Sequence, residues 1–281
     1  MQQPNQYQLT NSTKKGSRKG IVKGYSNRSL LCYPGGKTRA RKEIIRYFPK
    51  GITQMLSPFL GGGSIELEMA AKGVEIFAYD VFKSLVEFWQ CLTKNPKRLA
   101  DHIQKYHPLS KNKFRELKRT HPTFTSKYER AAIFYALNRS SFSGTTFSGG
   151  MSAGHPRFTL SSIGRVRQFY NPNIYVQQAD FKISLKNHPD IFAYLAPPYI
   201  IDSYLYENRG SAHKNFDHKG LSQILKQRKN WILSYNDCPK VRALYVGHKM
   251  VKLTWRYSTG KCKRGRELLV FSKKDMNILK L

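Results

Sequence analysis

Met55-Leu56-Ser57-Pro58-Phe59-Leu60-Gly61-Gly62-Gly63-Ser64-Ile65-Glu66, followed by Val74-Glu75-Ile76-Phe77-Ala78-Tyr79-Asp80, decides the fold class of this chain. Met55 to Leu60 reads as a strand, Gly61 to Gly63 as a turn, and Ile65 to Ala71 as a helix with Ser64 near its cap. Val74 to Tyr79 is a second strand ending at Asp80. Strand, glycine-rich turn, helix and strand in succession begin a doubly wound α/β sheet.

Outward from that unit the alternation continues. Ile174 to Gln178, Ile191 to Leu195 and Trp231 to Tyr235 read as further strands, with a helix over Leu221 to Leu225, and Val251 to Trp255 and Leu268 to Ser272 as closing strands. Leu30 to Pro34 is a short apolar lead into Gly35-Gly36-Lys37, with a helix through Ile44 and Ile45. Between about Asn95 and Arg165 the character changes to scattered basic residues, a helical stretch from Tyr128 to Leu137, and a Ser/Gly/Thr-rich segment from Ser140 to Gly154. Three parts are expected: a basic, flexible N-terminal arm over 1–28, a sheet domain over 29–94 plus 166–281, and an inserted module over 95–165. No internal repeat is evident.

Composition narrows the partner. Against 17 Asp and Glu stand 49 Lys and Arg, a net charge of +32, and a polyanion is the natural complement. A phosphate backbone fits better than anionic membrane, because no basic amphipathic helix with a bulky apolar face stands out. No run reaches the ~18 apolar residues of a membrane span, and Met1-Gln2-Gln3-Pro4-Asn5-Gln6 lacks the apolar core of a signal peptide, so an intracellular site is expected. Cys32, Cys91, Cys238 and Cys262 form no C-x-x-C pair and read as ordinary thiols; neither a disulfide framework nor a metal site is indicated. His155 and His188, each beside a proline, read as structural.

The residues that carry chemistry fall at strand ends. Phe59 with Gly61 and Gly63 lets backbone approach a ligand closely, since glycine has no Cβ to block it. Asp80, 17 residues beyond Gly63, stands where doubly wound folds place an acid for ribose hydroxyls. Gln178-Ala179-Asp180-Phe181 sets another acid and an aromatic at a strand end, suited to an adenine amino group and its ring; a plain strand terminus explains it equally well. Ile191 to Leu195 delivers Ala196-Pro197-Pro198-Tyr199 to the same edge. Two prolines stiffen that loop and leave their carbonyls free as acceptors, and Tyr199 could stack on a base removed from its duplex.

The ordered set Tyr33-Pro34-Gly35-Gly36-Lys37, Phe59 to Gly63, Asp80, Leu137-Asn138-Arg139-Ser140, Asp180-Phe181 and Pro-Pro-Tyr resembles the Dam-type DNA adenine-N6 methyltransferases, in their alpha arrangement, from about residue 30 to 272. The resemblance implies a Rossmann-like methyltransferase sheet whose insert, mainly helical, recognises the DNA target. It implies S-adenosyl-L-methionine as methyl donor, with S-adenosyl-L-homocysteine as product. Tyr33, where family members often carry Trp, and Lys37 would lie near the methionine end of the donor, beside Gly35 and Gly36. Gly61 and Gly63 would form the cofactor loop, Asp80 would hold the ribose, and Asp180 with Phe181 the adenine. Asn138, Arg139, Ser140 and Ser143 would enter double-stranded DNA beside the target, with Phe142 as an intercalating wedge. Thr145 and Phe147 fall near positions where members that read GATC carry Leu and Arg, which leaves the target sequence open. Lys261, Lys263 and Arg264 suit phosphate contacts near a C-terminal hairpin, although a solvated basic turn is the simpler account of any one of them. A monomer, a partner restriction endonuclease, and the cytoplasm of a bacterium or of a cell infected by a phage or virus complete the expectation.

The resemblance also exposes a departure. In the family the loop opens with Asp, Asn or Ser, whose oxygen accepts a hydrogen bond from the target nitrogen; here Ala196 accepts nothing. Two origins fit Ala196, an engineered replacement of an aspartate, favoured because the remaining site is intact in type, or a natural lesion in a protein retained for binding; either way the chain is expected to bind donor and DNA but to transfer methyl poorly or not at all. A DNA-binding homologue without catalysis, an RNA adenine methyltransferase and a cytosine-N4 enzyme are the alternatives.

Overall fold

A computed structural model describes residues 24–152, 157–200, 216–256 and 264–273, with side chains left out at 254–256 and 264–266. Most of the N-terminal arm, His155, Cys262, Lys261, Lys263 and the side chain of Arg264 therefore lie outside the described residues.

Seven strands form one sheet in the order β3-β2-β1-β4-β5-β7-β6. They are β1 (Gln54–Ser57), β2 (Glu75–Asp80), β3 (Ile174–Gln178), β4 (Ala193–Leu195), β5 (Trp231–Asn236), β6 (Met250–Arg256) and β7 (Arg264–Phe271). The first five run parallel, and β7 is inserted antiparallel between β5 and β6. Chain order reverses between β1 and β4, where Leu56 pairs with Ala193, so the crevice of an open α/β sheet opens at their carboxyl ends. Central strands are buried on both faces, which is why Met55, Leu56, Ala193 and Leu195 read as apolar runs rather than alternations.

Helix α1 (Arg41–Ile45) precedes β1, and α2 (Ser64–Ala71) links β1 to β2. The expected cap is displaced by one residue: Gly63, in the left-handed region at φ 66°, precedes the first helical turn, and the Ser64 hydroxyl instead pairs with Thr38 Oγ1 at 2.9 Å. Between β2 and β3 come α3 (Lys83–Lys94), α4 (Pro96–Gln104), α5 (Lys111–Thr120), α6 (Lys127–Ser140) and α7 (Leu160–Arg167). The basic stretch after Asn95 is thus helical throughout much of its length. Asn95 and Ser110 cap α4 and α5 through side-chain acceptors, and Leu99, Ile103, Phe114 and Leu117 turn their few apolar positions inward. Arg130 of α6 grips Glu87 of α3 with two donors at 2.6 and 2.9 Å, tying the intervening helices to the sheet domain.

Helix α8 (Phe181–Asn187) follows β3, α9 (His218–Gln227) precedes β5 and α10 (Pro239–Leu244) follows it. Apolar side chains fill both sides of the sheet, one layer around Trp89, Phe88 and Tyr194, the other around Trp231, Tyr235 and Tyr245. Among the described residues no helix is long and apolar enough to cross a membrane.

Candidate active site

The loop after β1 is shaped by what lies on it. Gly61 and Gly63 take left-handed φ values of 48° and 66°. A Cβ on Gly61 would stand 2.9 Å from the Tyr33 ring, and one on Gly63 2.7 Å from Trp89. The Trp89 indole of α3 also donates to the Gly61 carbonyl at 3.0 Å. Glycine is required here because two aromatic rings occupy the space of a side chain. Asp80, at the tip of β2, accepts from the backbone N–H groups of Gly61 at 3.1 Å and Phe82 at 3.0 Å, so one carboxylate ties the loop to the neighbouring strand. Burial raises its proton affinity and those two donors oppose the rise.

Tyr33 reaches this loop as part of a tight turn, with Gly36 N–H donating to the Tyr33 carbonyl at 3.0 Å and Gly35 at φ 75°. Lys37 then turns inward and is only 7% exposed. Its ammonium donates to the Gly35 carbonyl at 3.0 Å and to the Tyr199 hydroxyl at 2.6 Å, and pairs with Glu267 at 3.1 Å. It also lies 4.7 Å from the centre of the Tyr199 ring. The Tyr199 hydroxyl donates to the other oxygen of Glu267 at 2.6 Å, and the Ser234 hydroxyl of β5 donates to the first. Residues 162 positions apart in the chain, Lys37 and Tyr199, thus meet at one point of the sheet edge.

Ala196 follows the last residue of β4 and packs its methyl against the core layer around Tyr194. The loop's far end is pinned by Asn236 at the tip of β5, which accepts from Ile200 N–H at 3.1 Å and donates to the Ile200 carbonyl at 2.7 Å. The prolines of the loop contribute no N–H, and the asparagine supplies the pairing that a longer strand would have made.

Asp180 caps α8, its carboxylate accepting from Lys182 N–H at 2.8 Å. Phe181 is buried between Phe59 and Phe216, with ring centres 5.9 and 5.3 Å away. The aromatic cluster beneath the strand ends is thereby assembled from three separate loops.

The segment after α6 divides by exposure. Asn138 is 1% exposed, and its amide is spent inside the protein: it accepts from Cys32 N–H and donates to the Cys32 carbonyl, both at 2.9 Å, and donates to Gly144 and Thr146. Ser140 is buried as well. The physical role of Asn138 is to join this loop to the strand-like run before Tyr33, and the fit is close, since a Cβ on Gly144 would lie 1.7 Å from the Cys32 carbonyl oxygen. Arg139 holds the Arg157 carbonyl at 3.0 Å and lies against Cys32 Sγ. Phe142 is 62% exposed, raised on a short 3-10 turn in which Ser143 takes a φ of 52° and the Thr145 hydroxyl donates back to the Phe142 carbonyl at 2.8 Å.

Sequence reasoning missed Glu267, Ser234, Asn236 and Trp89. A carboxylate followed directly by Leu268-Leu269-Val270-Phe271 was the available signal for Glu267, because a charge in a buried strand needs a partner. A second buried carboxylate, Glu66 in the first turn of α2, accepts from the Ser57 hydroxyl at 2.7 Å. Burial pushes its pKa up to about 7, and the nearby Asp80 charge adds to the rise against the local hydrogen bonds. Among the described residues no group of three or more His, Cys, Asp and Glu side chains could hold a metal ion.

Comparison with known proteins places this arrangement in context. The chain is 22% identical over 231 residues to the type II methyltransferase M.CviBI of Paramecium bursaria Chlorella virus NC1A, covering 78% of this chain and 86% of that one. Among solved structures it is similar to the rRNA methyltransferase aviRa from Streptomyces viridochromogenes, at 12% identity and a TM-score of 0.38, covering 90% of this chain and 93% of that one. It is also similar to a precorrin 8W decarboxylase from Methanobacterium thermoautotrophicum, at 10% identity and a TM-score of 0.38, with 85% and 91% covered. Residues 33–259, which run from the Tyr33 turn through the glycine loop, the helices between β2 and β3 and the Pro-Pro-Tyr loop, match the family described as D12 class N6 adenine-specific DNA methyltransferase, and the chain belongs to that family.

Proposed function

We propose that this DNA adenine-N6 methyltransferase takes its methyl group from S-adenosylmethionine and acts on an adenine turned out of duplex DNA, and that the form with Ala196 is catalytically impaired. The observation that carries the proposal is the meeting of Lys37 and Tyr199, with Tyr33 of the same turn lying on Gly61 and Thr38 bonded to Ser64 at the glycine loop. The donor set fits a nucleoside-bearing sulfonium: Asp80 beside the glycine loop suits ribose hydroxyls, Asp180 an adenine amino group, and Tyr33 the methionine end, while Phe181 is packed between Phe59 and Phe216 and the Lys37 ammonium is committed to Gly35, Tyr199 and Glu267. When bound, that donor supplies an electrophilic methyl group.

Transfer forms a bond from the adenine N6 to that methyl carbon as the carbon–sulfur bond breaks, and N6 then loses a proton. The N6 lone pair is delocalised into the ring, so the nitrogen must become more tetrahedral as it attacks. Acceptors for its two N–H bonds favour that change. The Pro197 carbonyl is one, and Tyr199 offers a ring on which the base stacks. At 196 a methyl group stands where a carboxylate would be the second acceptor. Loss of a group that acts in the transition state costs on the order of 10²- to 10⁴-fold in rate.

Helices α4 to α6 and the loop that follows act as the target-recognition part, with Phe142 as the projecting wedge and Arg139, Ser143 and Thr145 beside it. Exposed Lys111, Lys113, Arg115 and Arg119 of α5 provide phosphate contacts. The test is to expose unmethylated DNA to the Ala196→Asp protein with S-adenosylmethionine and map modified bases. N6-methyladenine at a recurring sequence is the expected result; methyl groups on cytosine, or on structured RNA in preference to duplex, would refute it.

A further inference from the structure

Glu267 is a buried carboxylate from the antiparallel strand β7, far in sequence from every loop of the site. It is 1% exposed, yet it meets three groups at once: the Lys37 ammonium, the Tyr199 hydroxyl and the Ser234 hydroxyl. A carboxylate in such a place is costly unless both oxygens are satisfied, and here they are. A stabilising role alone would be met by the ion pair with Lys37. The additional bond to the phenol of Tyr199 fixes something else, the position of the hydroxyl end of that ring and its distance from the sheet.

We infer that Glu267 is a positioning residue for base stacking: with Lys37 it holds the Tyr199 ring in a set orientation before the adenine arrives. Lys37 meets the ring at its hydroxyl end, 2.6 Å from the oxygen and 4.7 Å from the ring centre, so it anchors the phenol without covering a ring face. Glu267 also balances the Lys37 charge, so the cation is kept beside the ring rather than drawn toward DNA phosphates. The Tyr199 loop is also held at its ends, by β4 and by Asn236, and the Tyr199 ring packs beside Tyr235 with centres 6.4 Å apart. Loss of the Glu267 contact loosens the hydroxyl end of the ring, and an error of about 1 Å in a reacting group's placement costs on the order of 10²-fold in rate.

The inference rests on the catalytic reading of the Pro-Pro-Tyr loop, and the experiment separates the two. In the Ala196→Asp background, transfer of labelled methyl to adenine-unmethylated genomic DNA is measured for Glu267→Gln, Tyr199→Phe and the double variant, each also followed by thermal unfolding. The expected result is a kcat about 10- to 100-fold lower for Glu267→Gln, a KM for DNA changed far less, and a double variant no worse than the poorer single one by more than about 2-fold. Rescue by Glu267→Asp, which keeps the charge, is also expected. Unchanged kcat in Glu267→Gln, or losses that multiply in the double variant, would overturn the positioning role while leaving the catalytic reading in place. An Ala196→Asp parent that transfers no methyl would overturn both. Should Glu267→Gln fail to fold, Ser234→Ala, which removes one of the three partners, carries the same comparison, and a kcat no lower than the parent's would count against the inference.

Discussion

Replacing Glu66 by glutamine should make the protein more stable at neutral and alkaline pH, although the replaced carboxylate sits in the first turn of a helix. That position would ordinarily favour a negative charge. Glu66 is 3% exposed, however, and near Asp80, and its pKa is pushed from an ordinary 4.5 up to about 7. Between these values the folded protein keeps a proton that the unfolded chain has lost, so stability falls as pH rises through the window and levels off above about 7. The full linkage corresponds to about 3 kcal/mol. Glutamine cannot ionise and can still accept from the Ser57 hydroxyl, so that penalty disappears with little change in shape. The assay is urea unfolding of both proteins at pH 4, 5.5, 7 and 8.5. Curves that coincide near pH 4 and separate by roughly 2–4 kcal/mol above pH 7, with glutamine the more stable, are expected. Parallel curves, or a glutamine variant less stable at pH 8.5, would refute the reasoning.

Other consequences are as direct. Gly63→Ala places a methyl group 2.7 Å from Trp89 at a left-handed φ, and should destabilise by roughly 1–3 kcal/mol in the same unfolding assay. Asn138→Leu leaves the Cys32 amide and carbonyl unpaired and should cost about 2–4 kcal/mol, whereas Phe142→Ala should leave stability unchanged and weaken DNA binding, as read by fluorescence anisotropy. With 49 Lys and Arg in the chain, log affinity for duplex DNA should fall linearly with log salt concentration, and Lys111→Ala with Arg115→Ala should make that slope shallower by about one to two.

What could be read from the chain depended on whether a residue's role was local. Strands β1 and β5 were legible because parallel strands buried on both faces are short apolar runs bounded by glycine, proline or acid, and the edge strand β3 because buried Ile174 and Val176 alternate with exposed Tyr175 and Gln177. The helices α4 and α5 were not, since Leu99 with Ile103 and Phe114 with Leu117 give each helix only a thin apolar stripe among polar and basic residues. Asn138 was singled out for its neighbours in sequence, but its amide faces Cys32, more than a hundred residues away, and so it works as a clamp inside the protein. Glu267 was passed over for the same reason in reverse. The basic residues just before it, Lys263 and Arg264, read as phosphate contacts, and its own three partners come from three other segments.

The most direct test is the single-turnover rate of methyl transfer to duplex DNA, measured for the alanine form and for Ala196→Asp at saturating S-adenosylmethionine. A gain on the order of 10²- to 10⁴-fold on restoring the acid, with N6-methyladenine as product, is the expected result. Equal rates in the two proteins, or no transfer by either while both bind DNA and donor, would contradict a catalytic centre at Ala196-Pro197-Pro198-Tyr199.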